Sequence, residues 1–303
     1  MRFVIAKKKL QIGSVVFNTI NYSVFILFTL ICIYPFYYLF INSISSNSLS
    51  AAGKIIYYPI GIHFSNYIDI MKLPGLANGA IISLLRTVIG TTCTVGASAF
   101  LGFAFTKKEM WGRKFCYRFV IVTMYFNAGL IPIYINMMNL HLTNNFLSYI
   151  LPVVVSPFNI ILVKTYIESL PISLQEAAEI DGAGFAKIFA SIIFPIITPI
   201  LATITVFSAV GQWNSFQDTL LYMTDSRLYT LQYLLYRYIN QSSAIAQLLK
   251  DADPSTIGDL LKQQTPDSVR MTVSMVVIIP ILMVYPYFQK YFVKGIMIGA
   301  VKG

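Results

Sequence analysis

Long apolar stretches separated by polar segments make up most of this chain. Six of the apolar stretches approach the roughly 20 residues that a helix needs to cross the hydrocarbon core of a bilayer. They are residues 22–41, 80–105, 119–138, 146–166, 192–212 and 271–288. The pattern predicts an all-α, polytopic membrane protein with six transmembrane helices.

The same pattern divides the chain into a first span, a core of five spans and two long polar segments. The first apolar run is longer than the apolar region of a typical secretory signal, so we expect it to remain as the first helix. The predicted parts are an N-terminal segment at 1–21, the first span at 22–41, a polar segment at 42–79, the core at 80–288 with a second polar segment at 213–270, and a tail at 289–303. In the second polar segment, residues 243–249 and 256–263 are predicted to be short amphipathic helices separated by Asp253-Pro254.

Composition supports the membrane class. Of the 303 residues, 56% are hydrophobic and 11% are charged, whereas soluble domains carry about one quarter charged residues. The net charge of +10 could indicate a nucleic-acid partner. The basic residues flank apolar spans, however, and no nucleic-acid-binding motif is present. We therefore expect a chain surrounded by membrane lipid that does not bind nucleic acid.

The positions of the basic residues predict an orientation, because lysine and arginine are enriched on the cytoplasmic flanks of spans. They cluster before the first span, after the second and after the sixth, at Arg2, Lys7, Lys8, Lys9, Lys107, Lys108, Arg113, Lys114, Arg118, Lys290, Lys294 and Lys302. Both termini are thus predicted to be cytoplasmic, with residues 42–79 and 213–270 outside the membrane on the other side. Arg86 lies a few residues inside the second span, and we expect its side chain to extend to the interface.

One polar interruption, residues 169–195, lies between the fourth and fifth spans on the predicted cytoplasmic side. Ser173 and Glu176 have the spacing of a capping box, which predicts a helix that begins at Leu174. Gly182 can adopt the left-handed conformation that ends a helix. The interruption therefore predicts a short helix at about residues 174–182, followed by a tight elbow.

A second helical run is predicted after the elbow, from residue 185 to 194, ending at Pro195. The first helix carries the acidic residues Glu176, Glu179 and Asp181 beside the small residues Ala177 and Ala178. The acidic groups offer hydrogen-bond acceptors, and the small side chains permit close approach of a partner. This composition favours a helix that docks into a groove of another protein.

These residues resemble a known signature. The pattern is EAA, three residues, G, nine residues and I-x-L-P, and it is found here at Glu176, Ala177, Ala178, Gly182, Ile192, Phe194 and Pro195, with Phe194 where leucine is usual. It resembles the signature of permease subunits of binding-protein-dependent ABC importers. Seven positions at fixed spacing form a specific signal, whereas EAA alone would not. The alternative is a solvated loop between two spans with an ordinary helix cap.

Further stretches resemble the carbohydrate branch of this family, as the second, maltose-type permease of oligosaccharide or polysaccharide importers. They are SNY at 65–67, YFNAGLIPIYI at 125–135, QWNSFQD at 212–218, YTLQYLL at 229–235 and the tail from residue 285. The resemblance implies a type I ABC importer permease fold in a bacterial cytoplasmic membrane. It also implies a second, homologous permease, two ATPase subunits that bind ATP and magnesium, an extracytoplasmic sugar-binding protein and an oligosaccharide substrate.

In that family the EAA helix inserts into a cleft of the ATPase. The resemblance therefore implies an ATPase-coupling role for Ser173, Glu176, Ala177, Ala178, Glu179, Asp181 and Gly182. A rigid helix of this kind would pass the movement of a closing ATPase to the fifth span.

The chain lacks the residues of several other kinds of site. It has no GxxxxGK[ST] segment for nucleotide phosphates, so ATP would be bound by another chain. The two histidines lie in separate predicted outer loops, and the three cysteines form no CxxC pair, so neither a catalytic site nor a metal site is indicated. We expect a transport subunit that binds no cofactor and is not an enzyme.

Uncharged polar residues do occur in the spans, including Ser156, Asn159 and Ser208. Hydroxyls, amides and aromatic rings are the groups that bind a neutral sugar, and the candidates for a substrate path are Asn127, Gln212, Trp213 and Asn214. Polar and small residues also join transmembrane helices to one another, which is the more common role for any single one of them.

Two functions of other classes compete with the importer subunit: a secondary transporter or channel that works alone, and a membrane scaffold. A proton-coupled carrier needs a titratable group inside the membrane, and the predicted spans contain no Asp, Glu, Lys or His in their interior. The two halves of the chain also show no obvious internal repeat, which such carriers usually have.

Overall fold

The computed structural model describes residues 12–72, 75–250 and 266–300, with side chains at 13–72, 75–241 and 267–286. Of the basic residues that predicted the orientation, Arg2, Lys7, Lys8, Lys9 and Lys302 lie outside what is described, and the side chains of Lys290 and Lys294 are not described. The predicted helix at 256–263 and Asp253-Pro254 also lie outside the described residues. The regular structure of the described residues is helical, and they contain no strand. The chain divides into two compact units, residues 1–68 with 245–275 and residues 69–244 with 276–303.

The helices are α1 (Ile12–Ser43), α2 (Asn47–Ala51), α3 (Ser65–Met71), α4 (Leu76–Ala104), α5 (Arg113–Tyr125), α6 (Leu130–Asn139), α7 (Leu151–Val154), α8 (Pro157–Glu168), α9 (Ser173–Ile180), α10 (Phe185–Lys187), α11 (Phe194–Ile196), α12 (Thr198–Asn214), α13 (Gln217–Tyr222), α14 (Leu231–Lys250) and α15 (Pro266–Ala300). Turns of 3₁₀ helix occupy Phe146–Tyr149 and Ser226–Leu228, and a π-helical segment occupies Ile188–Ile193. The predicted helix at 243–249 is the end of the longer α14.

In the first unit, α1 is apolar and exposed along most of its length, as expected for a helix in lipid. Buried polar groups fix the chain where this helix ends. Asn42 Nδ2 donates to the carbonyl of Ile55, and Ser50 Oγ donates to Asn42 Oδ1 at 2.7 Å. Asn66 Nδ2 donates to the carbonyl of Ser43 at 3.0 Å. These bonds give the turn after α1 a defined shape.

In the second unit, α4 packs against α12 and α8. Small residues on α4 permit this close approach. A Cβ atom at Gly102 would lie 2.7 Å from Val163 Cγ1 on α8, and one at Gly90 would collide with the side chain of Gln212 on α12. The core at one end of these helices includes Phe103, Val163, Ile167 and Ile204. Glycine residues on α4 thus allow α4, α8 and α12 to pack closely. These three helices also carry the sites described below.

Three described helices have the length and composition to cross a membrane, at Gly13–Ser43, Leu76–Ala104 and Asp267–Pro286. The number rises to five if each of two bent pairs is one span, with bends of 43° between Phe146–Val154 and Pro157–Glu168 and of 78° between Phe185–Ile196 and Thr198–Asn214. The count of six spans therefore stays a prediction.

The predicted third span, residues 119–138, is divided into α5 and α6. Asn127 Oδ1 accepts a hydrogen bond from the backbone N–H of Gly129 at 2.9 Å, and Gly129 has a φ of 86°. An asparagine that bonds its own backbone two residues on favours a turn over a helix. This local chemistry accounts for the break.

The second helical run, predicted at residues 185–194 with its end at Pro195, extends over Phe185–Ile196 and so ends one residue past Pro195. The chain passes through a π-helical segment and α11, and it bends by 78° before α12. Pro199 has no N–H to donate to the carbonyl of Pro195, four residues earlier. Thr198 Oγ1 donates to that carbonyl instead, at 2.7 Å. The bend therefore follows from Pro199 and lies at Ile197.

Candidate functional site

The predicted capping box at the start of α9 does not form. The helix begins at Ser173 rather than at Leu174, and no side chain caps it. Its first N–H groups bond to carbonyls of the preceding turn, with Gln175 N donating to Ile172 O at 2.9 Å and Leu174 N to Pro171 O at 3.3 Å. The turn that follows Pro171 supplies the acceptors that we expected from Ser173.

The end of α9 is closed as predicted by a left-handed glycine. Gly182 has a φ of 76°. Its N–H donates to the carbonyl of Glu179 at 3.0 Å, and the N–H of Ala183 donates to the carbonyl of Ala178 at 2.9 Å. This pair of bonds is the Schellman motif. The elbow after α9 is therefore held by two backbone hydrogen bonds rather than by an open loop.

The side chains of α9 divide into a buried point and an exposed surface. Ala178 is buried in the core of the second unit. The other predicted coupling residues are exposed: Ser173, Glu176, Ala177, Glu179, Asp181 and Gly182. Apolar side chains accompany them on the surface, with Ile180 86% exposed and Ile172 65% exposed. The helix thus presents carboxylates and aliphatic side chains outward while a single alanine anchors it.

Contacts that the sequence did not predict join α9 and α10 to the end of α4. Lys107 Nζ lies 2.8 Å from Glu179 Oε1. The Phe103 ring of α4 lies 4.7 Å from that of Phe185 and 5.4 Å from that of Phe189, centroid to centroid. The basic cluster after α4 and the acidic helix α9 therefore lie at the same end of the second unit.

A second candidate site is an open recess of about 510 Å³ in the second unit, here called the polar recess. It is lined by residues of α4, α7, α8 and α12 and by the start of α13: Arg86, Thr94, Pro152, Val153, Val155, Ser156, Asn159, Phe207, Ser208, Gly211, Gln212, Ser215 and Asp218. The polar residues of the predicted fourth and fifth spans, Ser156, Asn159 and Ser208, thus meet at one place.

Arg86 does not extend to an interface, and that prediction is wrong. Its side chain is 2% exposed and pairs with Asp218. Nη1 donates to Asp218 Oδ1 at 3.1 Å and to the carbonyl of Ser215 at 3.3 Å. Nε and Nη2 donate to Gln212 Oε1 at 3.1 and 3.0 Å, and Nη2 also donates to Asp218 Oδ2. The residues after α12 bring a carboxylate back to the charge on α4.

The wall of the polar recess includes the break between α7 and α8. Val155 and Ser156 have extended backbone there, with ψ values of 97° and 106°. Ser156 Oγ accepts from the backbone N–H of Asn159 at 3.5 Å, so the serine caps α8. Thr94 Oγ1 of α4 donates to the carbonyl of Val153 at 3.1 Å, which helps to satisfy the interrupted backbone.

The four predicted path residues are not brought together. Gln212 lines the polar recess and also donates from Nε2 to the carbonyl of Tyr149 at 3.1 Å. Trp213 faces α15, where its Nε1 donates to the carbonyl of Val277 at 3.1 Å. Asn214 Oδ1 accepts from Gln232 Nε2, and Asn127 forms the turn between α5 and α6. Of the four, only Gln212 lies in the recess.

In the ranges that the structure describes, no group of three or more His, Cys, Asp or Glu side chains is placed to hold a metal ion. The cysteines Cys32, Cys93 and Cys116 are not joined in disulfides.

The sequence and the fold both match known transport proteins. The profile of the family described as "Binding-protein-dependent transport system inner membrane component" matches residues 94–298. The Polygalacturonan/rhamnogalacturonan transport system permease protein YtcP of Bacillus subtilis is 32% identical over 287 residues, which are 95% of this chain and 98% of that protein. Protein LplC of the same organism is 32% identical over 275 residues, 90% of each chain.

A solved structure is similar over nearly the whole chain. It is a crystal structure of a bacterial ABC transporter involved in the import of the acidic polysaccharide alginate. The similarity has a TM-score of 0.81 and 29% sequence identity, and it covers 93% of this chain and 98% of the other.

Proposed function

This chain belongs to the family of binding-protein-dependent transport system inner membrane components, and we propose that its importer takes up oligosaccharides or fragments of polysaccharide. The chain is a permease subunit of an ABC importer, with an all-α fold, and it is a transport component rather than an enzyme. It is embedded in a bacterial membrane. The proposed substrate class is supported by two relatives whose names give polymers of sugar acids.

The proposed coupling role is supported mainly by the structure of α9 and its elbow. The helix is exposed, acidic and closed by two backbone bonds at Gly182. Its one buried side chain, Ala178, packs in the core beside residues of α4, α8 and α12. A partner that moves α9 would therefore move the membrane helices with it. We propose that this partner is an ATPase subunit.

Family membership implies a partner permease, an ATPase and a binding protein. In the finer proposal, the second permease is homologous but distinct, and two ATPase subunits bind ATP and magnesium. An extracytoplasmic protein would deliver the sugar. We further propose that α9 and the basic loop at Lys107 face the cytoplasm, together with both termini. The Lys107–Glu179 ion pair supports this, because it joins the helix to a loop whose charge favours the cytoplasmic side.

Uptake by the assembled importer tests the sugar substrate. The complex of both permeases and the ATPase is reconstituted in proteoliposomes with its binding protein and given labelled oligosaccharides that differ in length and acidity. ATP-dependent accumulation of at least one of them is expected. If the complex accumulates no sugar while the binding protein still stimulates ATP hydrolysis, the sugar substrate is refuted.

The Glu176→Lys variant tests the partner proposed for α9. Reversing an exposed charge on the docking surface should weaken the association with the ATPase, measured by co-purification from membranes. Asp225→Lys makes a similar charge reversal in a loop residue whose side chain is 31% exposed, distant in sequence from α9, and serves as the control. Co-purification of Glu176→Lys at the control level would contradict an ATPase contact at this helix.

A further inference from the structure

The polar recess has the kind of wall that faces an aqueous path or another protein rather than lipid. Non-helical backbone at membrane depth is tolerated only where it is buried in protein or lines a water-filled cavity. Val155 and Ser156 have extended backbone and line the recess. Polar side chains in transmembrane segments likewise face the bundle interior or a pathway for a polar solute. Broken helices form the substrate sites of many transporters for this reason.

The two charged side chains of the recess, Arg86 and Asp218, form an ion pair with each other. A guanidinium has five N–H donors, and Arg86 makes five hydrogen bonds, to Gln212, Ser215 and Asp218. Arg86 therefore has no donor left for a carboxylate. The carboxylate of Asp218 also disfavours a second negative charge nearby. An acidic group of a substrate would find no available cation among the residues that line the recess.

The hydrogen-bonding capacity that remains is uncharged. One N–H of the Asn159 amide donates to Ser208 Oγ at 3.3 Å. Its second N–H and its carbonyl oxygen have no partner among the described residues. Ser156 and Ser208 accept hydrogen bonds here, which leaves both hydroxyl protons available. Phe207 adds a half-exposed ring to the same wall. Sugar hydroxyls both donate and accept, and the carbon face of a sugar ring is apolar, so a sugar unit matches this set of groups.

We propose that the polar recess is a sugar-binding subsite that this chain contributes to the path, and that it binds the hydroxyl groups of an uncharged sugar unit through Ser156, Asn159 and Ser208. The proposal rests on the proposed function, since it assumes that the importer carries sugar. The Arg86–Asp218 pair is then a fixed wall of the subsite and not a receptor for a sugar carboxylate.

Two substitutions in the recess test the proposal in the reconstituted importer. The probes are maltotetraose, which is neutral, and tetragalacturonate, which is acidic, each labelled and used where the wild-type complex accumulates it. Ser208→Ala and Asn159→Leu each remove hydrogen bonds, so each should lower the sugar taken up per ATP hydrolysed by about three- to tenfold. Stimulation of ATP hydrolysis by the binding protein should persist, because α9 is unchanged. Ser208→Ala removes one oxygen and should fold even if Asn159→Leu does not.

Thr205→Val is the matched control. Thr205 lies on α12 about one turn before Ser208, and its hydroxyl donates to the carbonyl of Leu201 in the same helix at 2.7 Å. Uptake per ATP should match the wild type in this variant. If Ser208→Ala behaves like the control, the subsite is refuted while wild-type uptake still supports the proposed function. If the wild-type complex accumulates neither these probes nor any other sugar, both proposals fail.

A further variant, Arg86→Lys, tests the role of Arg86 separately. Arg86→Lys keeps the charge but cannot reproduce the five hydrogen bonds. If Arg86 is part of a fixed wall, uptake of the neutral and the acidic probe should fall by similar factors. Loss of tetragalacturonate uptake alone, with maltotetraose uptake unchanged, would show that Arg86 binds the substrate carboxylate and would overturn the proposal.

Discussion

Arg86 is held in the interior of the second unit by a complete set of polar partners. The Tyr149 ring adds to them, with the guanidinium carbon 4.3 Å from its centroid. A buried ion pair contributes little net stability compared with apolar residues of the same size, because both charges lose their hydration. Removal of one partner is costly, however, since the other charge is left buried and uncompensated. Arg86 and Asp218 therefore depend on each other.

We predict that Asp218→Asn destabilises the protein strongly, because it keeps the shape of the side chain but removes the charge that balances Arg86. The expected loss is about 3–5 kcal/mol in the free energy of unfolding. Thermal unfolding of the purified protein in detergent would show it as a lower midpoint. Arg227→Gln, at an ion pair where the arginine side chain is 86% exposed, should leave the midpoint unchanged. Equal midpoints for the two variants would contradict the dependence of Arg86 on Asp218.

Gly182 and Gly184 form a natural comparison at the elbow after α9. A Cβ atom at either position meets no other atom within 4 Å, so neither substitution creates a clash. Only Gly182 has a positive φ, at 76°, whereas Gly184 has a φ of −72°. A side chain at Gly182 costs about 1–2 kcal/mol through backbone strain alone. A comparison of substitutions at the two glycines therefore separates the effect of backbone strain at the elbow from the effect of an added side chain.

We predict that Gly182→Ala impairs transport while Gly184→Ala does not. Strain at Gly182 should displace or loosen the elbow, so binding-protein-stimulated ATP hydrolysis in reconstituted complexes should fall several-fold. The amount of complex in the membrane should stay the same, because the elbow lies outside the apolar spans. Normal stimulation in Gly182→Ala would remove the requirement for a fixed elbow.

At the scale of elements, α9 is joined to α4 as well as to the helices that follow it. Phe103 near the end of α4 packs against both Phe185 and Phe189, and Lys107 pairs with Glu179. An exposed ion pair usually contributes about 0–1 kcal/mol to stability. Glu179 is 54% exposed, so the pair matters for the angle of α9 more than for folding.

We predict that Lys107→Glu and Glu179→Lys each lower binding-protein-stimulated ATP hydrolysis and that the double variant restores most of it. Each single change places two like charges side by side, which should turn α9 away from the loop after α4. The double change recreates the pair with its charges exchanged. Thermal unfolding midpoints of all three variants should be close to that of the wild type. A double variant as impaired as the singles would show that the charges act elsewhere.

The elements differ in how far local sequence determined them. Gly182 closes α9 through its own backbone freedom, and a glycine at that spacing signals it without knowledge of the fold. The start of α9 was mispredicted because Ser173 had a competitor, the turn after Pro171, whose carbonyls take the same N–H groups. The end of the helical run was predicted at Pro195, close to its position at Ile196, but Pro199 was not recognised as the cause of the bend at Ile197. The hydrophobic pattern of the span concealed it.

The polar recess is formed by residues that are distant in sequence. The sequence therefore identified individual polar residues of the recess but not which of them lie together. Arg86 and Asp218 are separated by 132 positions, and no pattern along the chain pairs them. Asn159 and Ser208 were recognisable as polar residues in apolar spans, but 49 positions separate them. Trp213 and Asn214 adjoin Gln212 in sequence and face other directions, since neighbouring residues on a helix point about 100° apart.

At the scale of the whole chain, the same helices carry the elbow contacts and the polar recess. Phe103 and Arg86 both lie on α4, 17 positions apart, which corresponds to about 25 Å along a helix at 1.5 Å per residue. Helices α8 and α12 also contribute to both the core beside α9 and the recess. If a partner moves α9 as proposed, the movement would reach the recess through helices of the same unit. This arrangement suits a subunit that receives work at one end and handles a solute near the other.

The proposed docking of an ATPase on α9 requires that α9 face the cytoplasm and that the loop at Arg227 face the opposite side, which side-specific labelling tests. Ile180 and Arg227 are each 86% exposed, so a cysteine at either position is accessible. Both variants are made in a background in which Cys32, Cys93 and Cys116 are replaced by alanine. A membrane-impermeant maleimide applied to intact cells should label Arg227→Cys, and Ile180→Cys only after permeabilisation. The Lys107–Glu179 pair joins the basic loop to α9, so this loop lies on the same side as Ile180. If the orientation is inverted, Ile180→Cys should be labelled in intact cells and Arg227→Cys only after permeabilisation. Labelling of Ile180→Cys in intact cells would place the docking helix outside and would exclude an intracellular ATPase as its partner.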